Sequence, residues 1–210
     1  MAVLVLLAVQ PAQAATSLIW DADGTPPYGG AGTWDTTSPY WYNSSTPGYQ
    51  PWVNANNDDA VFGTSGGTVS LGTGITVHNL TFDTTGYLIQ SDTLTLAGTT
   101  PTITANANAA ISSVIAGSAG LTKTGAGTLT LSGANTTTGG VTLGAGTLNI
   151  NHAQALGTGT FIISGGKIDN TSGAAITNTN NNPIGLNADF TFTGTQALNL
   201  GTGAASLGTA

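Results

Sequence analysis

Cysteine, arginine and glutamate are all absent from this 210-residue chain, and lysine occurs only twice. Without cysteine there is no disulfide framework, no thiol nucleophile and no thiolate metal site. Without arginine the planar, bidentate clamp for phosphate or carboxylate ligands is missing. Two lysines cannot neutralise a phosphate backbone, which excludes nucleic acid as a partner. Charged residues make up 5% of the chain and the net charge is −7, against about 25% charged residues in an ordinary globular domain. Solubility therefore rests on hydroxyls and amides. Long apolar runs are missing as well: the early run stretches only from Ala2 to Val9, well short of the ~20 residues a membrane span needs.

That early run has another use. It leads to Pro11 and then to Ala12-Gln13-Ala14, an A-x-A cleavage signal behind a secretory apolar region. Residues 1–14 read as a signal peptide cut between Ala14 and Ala15. Its charged leading region is missing, so the true start is expected upstream.

What the chain does have is glycine, 31 of them, and abundant Thr, Asn and Ser. Apolar content of 40% placed in regular alternation argues against disorder. Short pairs of apolar residues with one polar residue between them recur throughout: Val69-Ser-Leu71, Leu80-Thr-Phe82, Leu94-Thr-Leu96, Leu129-Thr-Leu131, Val141-Thr-Leu143, Leu148-Asn-Ile150. Period-two alternation marks strands with one face buried. Gly-Gly, Ser-Gly and Gly-Ala-Gly between them are turn chemistry, and no stretch offers an apolar stripe at helical spacing. The pairs also recur at a constant interval: Leu129 is echoed at Leu148 and again at Ile168, and Val141 at Phe161. A fixed period of about 20 residues, with two or three short strands in each, predicts a coil of a β-solenoid.

The segment from Leu121 (LTKTGAGTLTLSGANT), continued by Thr138 (TGGVTLGAGTLNI) and Ala155 (ALGTGT), resembles the autotransporter-associated β-strand repeat, also called the passenger-associated transport repeat. The close resemblance runs from Leu121 to Thr160. It implies a right-handed parallel β-helix exposed on a bacterial surface, a translocation barrel in the outer membrane elsewhere in the full-length protein, and no catalytic constellation of its own. The absence of cysteine fits such a role, since disulfides would hinder passage across the membrane.

The sequence divides into three parts: the signal peptide 1–14, an aromatic segment 15–66, and a parallel β-helix over 67–210. At ~20 residues per coil the last part makes roughly seven coils, about 34 Å of axis at ~4.8 Å between strands. Asn side chains in the turns of successive coils are expected to stack in ladders. Ile111 to Ala116 reads as a strand buried on both faces, and Asn178 to Asn182 as a loop. The chain ends in mid-rhythm, so it reads as part of a longer passenger whose open coil end could stack on another.

In the segment 15–66 all four Trp (Trp20, Trp34, Trp41, Trp52) lie among several Pro residues and four of the five Tyr. One reading is a cap over the open end of the solenoid. The sharper reading is a carbohydrate platform in which Trp41, Tyr42 and Trp52 offer flat faces to surface glycans. Two acidic patches, Asp21/Asp23 and Asp58/Asp59, carry calcium-type oxygens but lack a bidentate glutamate, and turn formation by Asx side chains explains both.

Nothing in the sequence assembles a cofactor site or a metal site. His78 and His152 have no partner at metal-ligand spacing, there is no nucleophile elbow, and the glycine-rich stretches lack the Lys-Ser/Thr of a phosphate loop. The one enzymatic arrangement worth stating is Lys167 and Asp169 on one strand face, with Asp189 one coil later, as a polysaccharide lyase or hydrolase would need. Against it stand a non-catalytic stalk that supports export, display or adhesion, and a glycan-binding adhesin. The stalk is the reading the residues favour.

Overall fold

The computed structural model describes residues 15–208; the expected signal peptide, residues 1–14, lies outside that range. The rungs of the long sheet show how the chain winds. Strand Ser17–Trp20 pairs in parallel with Asp59–Phe62, which pairs with Leu80–Phe82. Seven parallel steps lead from Ala60 through Leu80, Ile103, Lys123, Leu143, Ile163 and Leu186 to Leu207. The steps are nearly equal, the widest being those from Leu80 to Ile103 and from Ile163 to Leu186. A second sheet of eight strands runs beside it, from Gly32–Trp34 to Thr191–Phe192. A third, shorter face is formed by Ile75–Val77, Thr93–Leu96 and Val114–Ala116. The protein is a parallel β-solenoid with about 20 residues per coil, as the repeat spacing predicts. With the first coil included, eight steps of ~4.8 Å make an axis of roughly 38 Å.

Alternation fixes what faces inward. In Thr102–Ala105, Ile103 and Ala105 are buried while Thr102 and Thr104 look outward. Two outer threonines meet across one coil step: the Thr104 and Thr124 hydroxyls lie 3.0 Å apart, oxygen to oxygen. Inward side chains stack coil on coil into one continuous apolar column.

Three expectations change at this level. The solenoid begins at Ser17 rather than at residue 67, because Ser17–Trp20, Gly32–Trp34 and Asp59–Phe62 are rungs of the same two sheets. The first coil is also about twice as long as the others: Thr16 and Asp58, which meet across it, stand 42 residues apart in sequence. The excess holds a hairpin. The run Ile111 to Ala116 is no single buried strand: the chain turns a corner at Ser112-Ser113, so Ala109–Ile111 and Val114–Ala116 belong to different faces. Asparagines bond mainly to the backbone of adjacent coils instead of stacking on one another. Asn135 accepts from the Ile115 amide (2.8 Å) one coil before and donates to the Ala155 carbonyl (2.7 Å) one coil after. It thereby replaces a strand on the third face.

The repeat's paired glycines answer to coil spacing. A Cβ on Gly140, where φ is +89°, would stand 2.4 Å from the Thr160 carbonyl oxygen of the next coil, so a side chain there would force the coils apart.

Candidate functional site

The aromatic end of the solenoid is built on the hairpin in the first coil. Trp41–Asn43 runs antiparallel to Ser17–Trp20, and Gly48–Gln50 folds back on it as the last strand of the long sheet. Asn43 shapes the connection by accepting the amides of Ser45 and Thr46 (2.9 and 3.1 Å). Pro47 and Pro51 flank the edge strand and withhold donors that would prolong it. A parallel solenoid thus ends on a short antiparallel strand.

Beneath this hairpin the four tryptophans fill the wide cross-section of the first coil. Trp20, Trp34, Trp41 and Trp52 are each 0% exposed. Trp41 lies 4.7 Å from both Trp34 and Trp52, centroid to centroid, and 5.3 Å from Trp20. Tilted and edge-on arrangements of this kind suit the ring quadrupoles. Trp20 and Trp52 donate their indole N–H groups to the Gly30 and Thr76 carbonyls, both at 2.9 Å. The cluster rests on Phe62, which stacks on Phe82 of the following coil at 5.0 Å. Neither Trp41 nor Trp52 presents a ring face to solvent. The platform expected from these two residues is corrected accordingly: a wide coil end has to be filled, and indoles are the largest apolar groups available to fill it.

Tyr42 is placed differently. It alternates with Trp41 and Asn43 and so faces outward. Its partner across the hairpin is Tyr49, with ring centroids 5.3 Å apart, and Tyr28 stacks on it from the loop after the first strand at 5.1 Å and 23°. All three rings are half-buried. The Tyr49 hydroxyl donates to Asp21 Oδ2 at 2.5 Å. Asp21 Oδ1 is buried and has no hydrogen-bond partner among the described residues. Burial pushes the Asp21 carboxyl above its ordinary range, and the Tyr49 hydrogen bond opposes that rise. Burial and the same carboxylate push the Tyr49 phenol up as well. Tyr28 and Tyr49 belong to the aromatic segment counted in the sequence, but nothing there joins them to Tyr42, because their approach to it depends on a hairpin register and a loop.

The other acidic patch is structural. Asp58 is buried and caps the Thr16 amide (2.9 Å), and Asp59 holds Asn79 and His78 Nδ1 (2.9 and 3.0 Å). Among the described residues no group of three or more His, Cys, Asp or Glu is arranged to hold a metal ion. Lys167 and Asp169 do lie on one strand, but Lys167 is exposed and Asp169 is buried. Asp169 accepts from the Thr195 amide and hydroxyl and from the Asn170 amide. Burial alone would raise its pKa, yet these donors outweigh it and hold the carboxyl below its usual range. Asp189 lies one coil on, in a hollow with Phe190, Leu186 and Leu207. A carboxylate so fully engaged in holding a turn is a poor general base.

Lys123 is a charged residue that the sequence reading passed over, although its spacing from Leu121 puts both on one face. It occupies an inward position between Ile103 and Leu143 and is 0% exposed. Its ammonium donates to the carbonyls of Thr124 (2.7 Å), Gly125 (2.9 Å) and Ala145 (3.0 Å). Burial pulls its pKa down to about 8.

A stacked parallel solenoid with a hydrogen-bonded repeat at its corners defines the class of parallel β-solenoid repeat proteins. The family model described as the passenger-associated-transport-repeat matches residues 121–150, the stretch that holds Lys123 and Asn135. The chain is also 46% identical over 160 residues, 73% of its length, to the adhesin BmaC autotransporter of Brucella suis biovar 1 (strain 1330). It spans about 5% of that protein's length. No solved structure matches it. The chain is an autotransporter passenger segment that carries this repeat.

Proposed function

We propose that this segment is a non-catalytic stalk, exported to the cell surface by an outer-membrane translocation barrel of the full-length protein, and that it supports display and adhesion there. The observation that carries the reading is the unbroken ladder of seven parallel steps from Ala60 to Leu207. Each coil buries its apolar face on the one before, so stability accumulates along the axis. A chain emerging from a pore can add coils one at a time to an existing end, and folding outside then opposes its return. A role in adhesion is supported by the 46% identity to a protein named as an adhesin.

The test uses the full-length protein in its own cells. Deleting Leu121 to Thr160 removes two complete coils and brings Phe161 to the register position of Leu121. Surface exposure by protease shaving should be retained. Leu143→Asp, which puts a charge in the column, should reduce it several-fold. Equal display of the Leu143→Asp protein, or a product that stays in the periplasm without either change, would overturn the proposal.

A further inference from the structure

Among the carboxyls that the fold buries, Asp21 is the poorly served one. Asp58 accepts from the Thr16 amide and from Asn56, and Asp169 from Thr195 and Asn170. Asp21 is 0% exposed, yet it accepts the Tyr49 hydroxyl at Oδ2 while its Oδ1 has no partner among the described residues. The Asp23 amide adds weaker support. No cation offsets the charge: the segment 15–66 contains neither Lys, Arg nor His, and His78 is engaged with Asp59. The titratable groups around Asp21 are the phenols of Tyr28, Tyr49 and Tyr87 and the Asp23 carboxylate, with Tyr42 stacked on Tyr28. A carboxylate shut away from water with so few donors is costly, and the neutral acid is far less so. The position makes that cost consequential. The Asp21 amide donates to the Tyr40 carbonyl at 2.9 Å, just ahead of Trp41–Asn43, and its side chain takes the Tyr49 hydroxyl from Gly48–Gln50. One residue thus ties both strands of the hairpin to the end of Ser17–Trp20.

We propose that Asp21 and Tyr49 form a proton-operated latch on the capping hairpin, shut while Asp21 carries its proton and loosened when that proton leaves to water. The stacked Tyr28 and Tyr42, with Tyr49 tilted against them, are the cover that keeps the carboxyl dry. Burial raises the carboxyl's pKa in the closed hairpin by more than the Tyr49 bond lowers it. The closed form therefore holds the proton more tightly than the open one. Its stabilisation is complete below about pH 3.9, the value of a free carboxyl, and is lost as pH rises through the folded pKa. This is the opposite sense to Asp169, whose donors lower its pKa. Loosening bares the edge of Ser17–Trp20 and frees the Trp41 ring from the indole cluster.

The test is hydrogen exchange with mass spectrometry on the purified full-length passenger, read for peptides spanning Trp41 to Gln50. Rates from about pH 4 upward to neutrality are taken as the ratio of wild type to Asp21→Asn. The variant is a neutral isostere of the protonated carboxyl, and the ratio cancels the intrinsic pH dependence of exchange. It should rise several-fold across the range. Tyr49→Phe removes the donor that favours the ionised form, so its rise should continue to higher pH. Asp23→Asn keeps the backbone and removes the neighbouring carboxylate, which raises the Asp21 pKa, so its rise should end at lower pH. A constant ratio, a ratio that falls with pH, or displacements of the two variants in the reverse directions would overturn the latch. An equal rise in peptides around Val141–Leu143 would overturn it too, because the coils would then be loosening together. Should Asp21→Asn not fold, the ratio of wild type to Asp23→Asn carries the same reading: it should rise with pH, and a constant value sinks the proposal.

Discussion

Lys123 Nζ donates to the Ala145 carbonyl at 3.0 Å, across the step from one coil to the next. With its bonds to Thr124 and Gly125, the ammonium uses all three of its protons on backbone oxygens at one corner of the solenoid. A lysine in an apolar column is costly unless it is satisfied in this way. Here it fastens two coils where the repeat turns.

Truncation of this residue should therefore be felt in stability. Lys123→Ala leaves both a cavity and orphaned carbonyls and should cost about 2–4 kcal/mol. Lys123→Met orphans the same carbonyls but keeps the volume, so it should cost less by the cavity alone. Denaturant melts of the two variants check both values. An alanine variant as stable as the wild type would remove the clamp from the account.

The same lysine has a pH signature. Its folded pKa, about 8, lies below the ~10.4 of an unfolded lysine. Between these values the unfolded chain binds more protons, so this group makes stability rise with pH. Below pH 8 both states are charged and the contribution is flat. Measured against Lys123→Met, which shares every tyrosine, the wild type should gain stability between about pH 8 and 10. A flat difference across that window would show that the three carbonyls hold the proton as firmly as water does.

Removing an indole should open the first coil. Trp41→Ala or Trp52→Ala deletes a fully buried ring from a four-indole cluster and should cost ~3–5 kcal/mol. In hydrogen exchange the loss should be greatest for amides of Ser17–Trp20 and Trp41–Asn43, and small beyond Leu121. Uniform loss along the axis would mean that the coils unfold as one unit.

Asn135 offers a test of the corner ladder. Asn135→Ala strands the Ile115 amide and the Ala155 carbonyl, each a buried group whose loss costs about 1–3 kcal/mol. Faster exchange of the Ile115 amide is the specific readout. Unchanged protection there would show that water or another carbonyl takes over.

Acid should loosen the turn at Asp169. Its pKa is held below the unfolded value by the donors around it, so the stabilisation is present above ~3.9 and is lost as pH falls through the folded pKa. Asp169→Asn should flatten that part of the acid profile. Lys167→Ala should change neither stability nor any turnover of acidic polysaccharides, and a measurable loss of turnover would reopen the enzymatic reading.

Much of this was legible in one dimension. Period-two alternation decided which side chains of Thr102–Ala105 or Val141–Leu143 face the core, because a strand has only two faces. The recurrence of the apolar pairs decided that coils stack, because so short a strand cannot bury its apolar face alone. The asparagine run from Asn178 to Asn182 looked like a loop, and the loop is there. Yet Asn178 and Asn182 are buried, with Asn178 donating to Asn182 Oδ1 and Asn182 to the Gly157 and Gly159 carbonyls. Polar residues carry no alternation that would reveal an inward role.

By itself, then, the sequence determined the repeating strand, its period and its glycine corners, since each of these is a local property of neighbouring residues. Only the tertiary structure decided that Trp41 and Trp52 fill the first coil while Tyr28, Tyr42 and Tyr49 line its outside. An aromatic-rich segment specifies large apolar area but not which rings are covered. That depends on Trp41–Asn43 folding back against Ser17–Trp20, and on a first coil long enough to enclose four indoles.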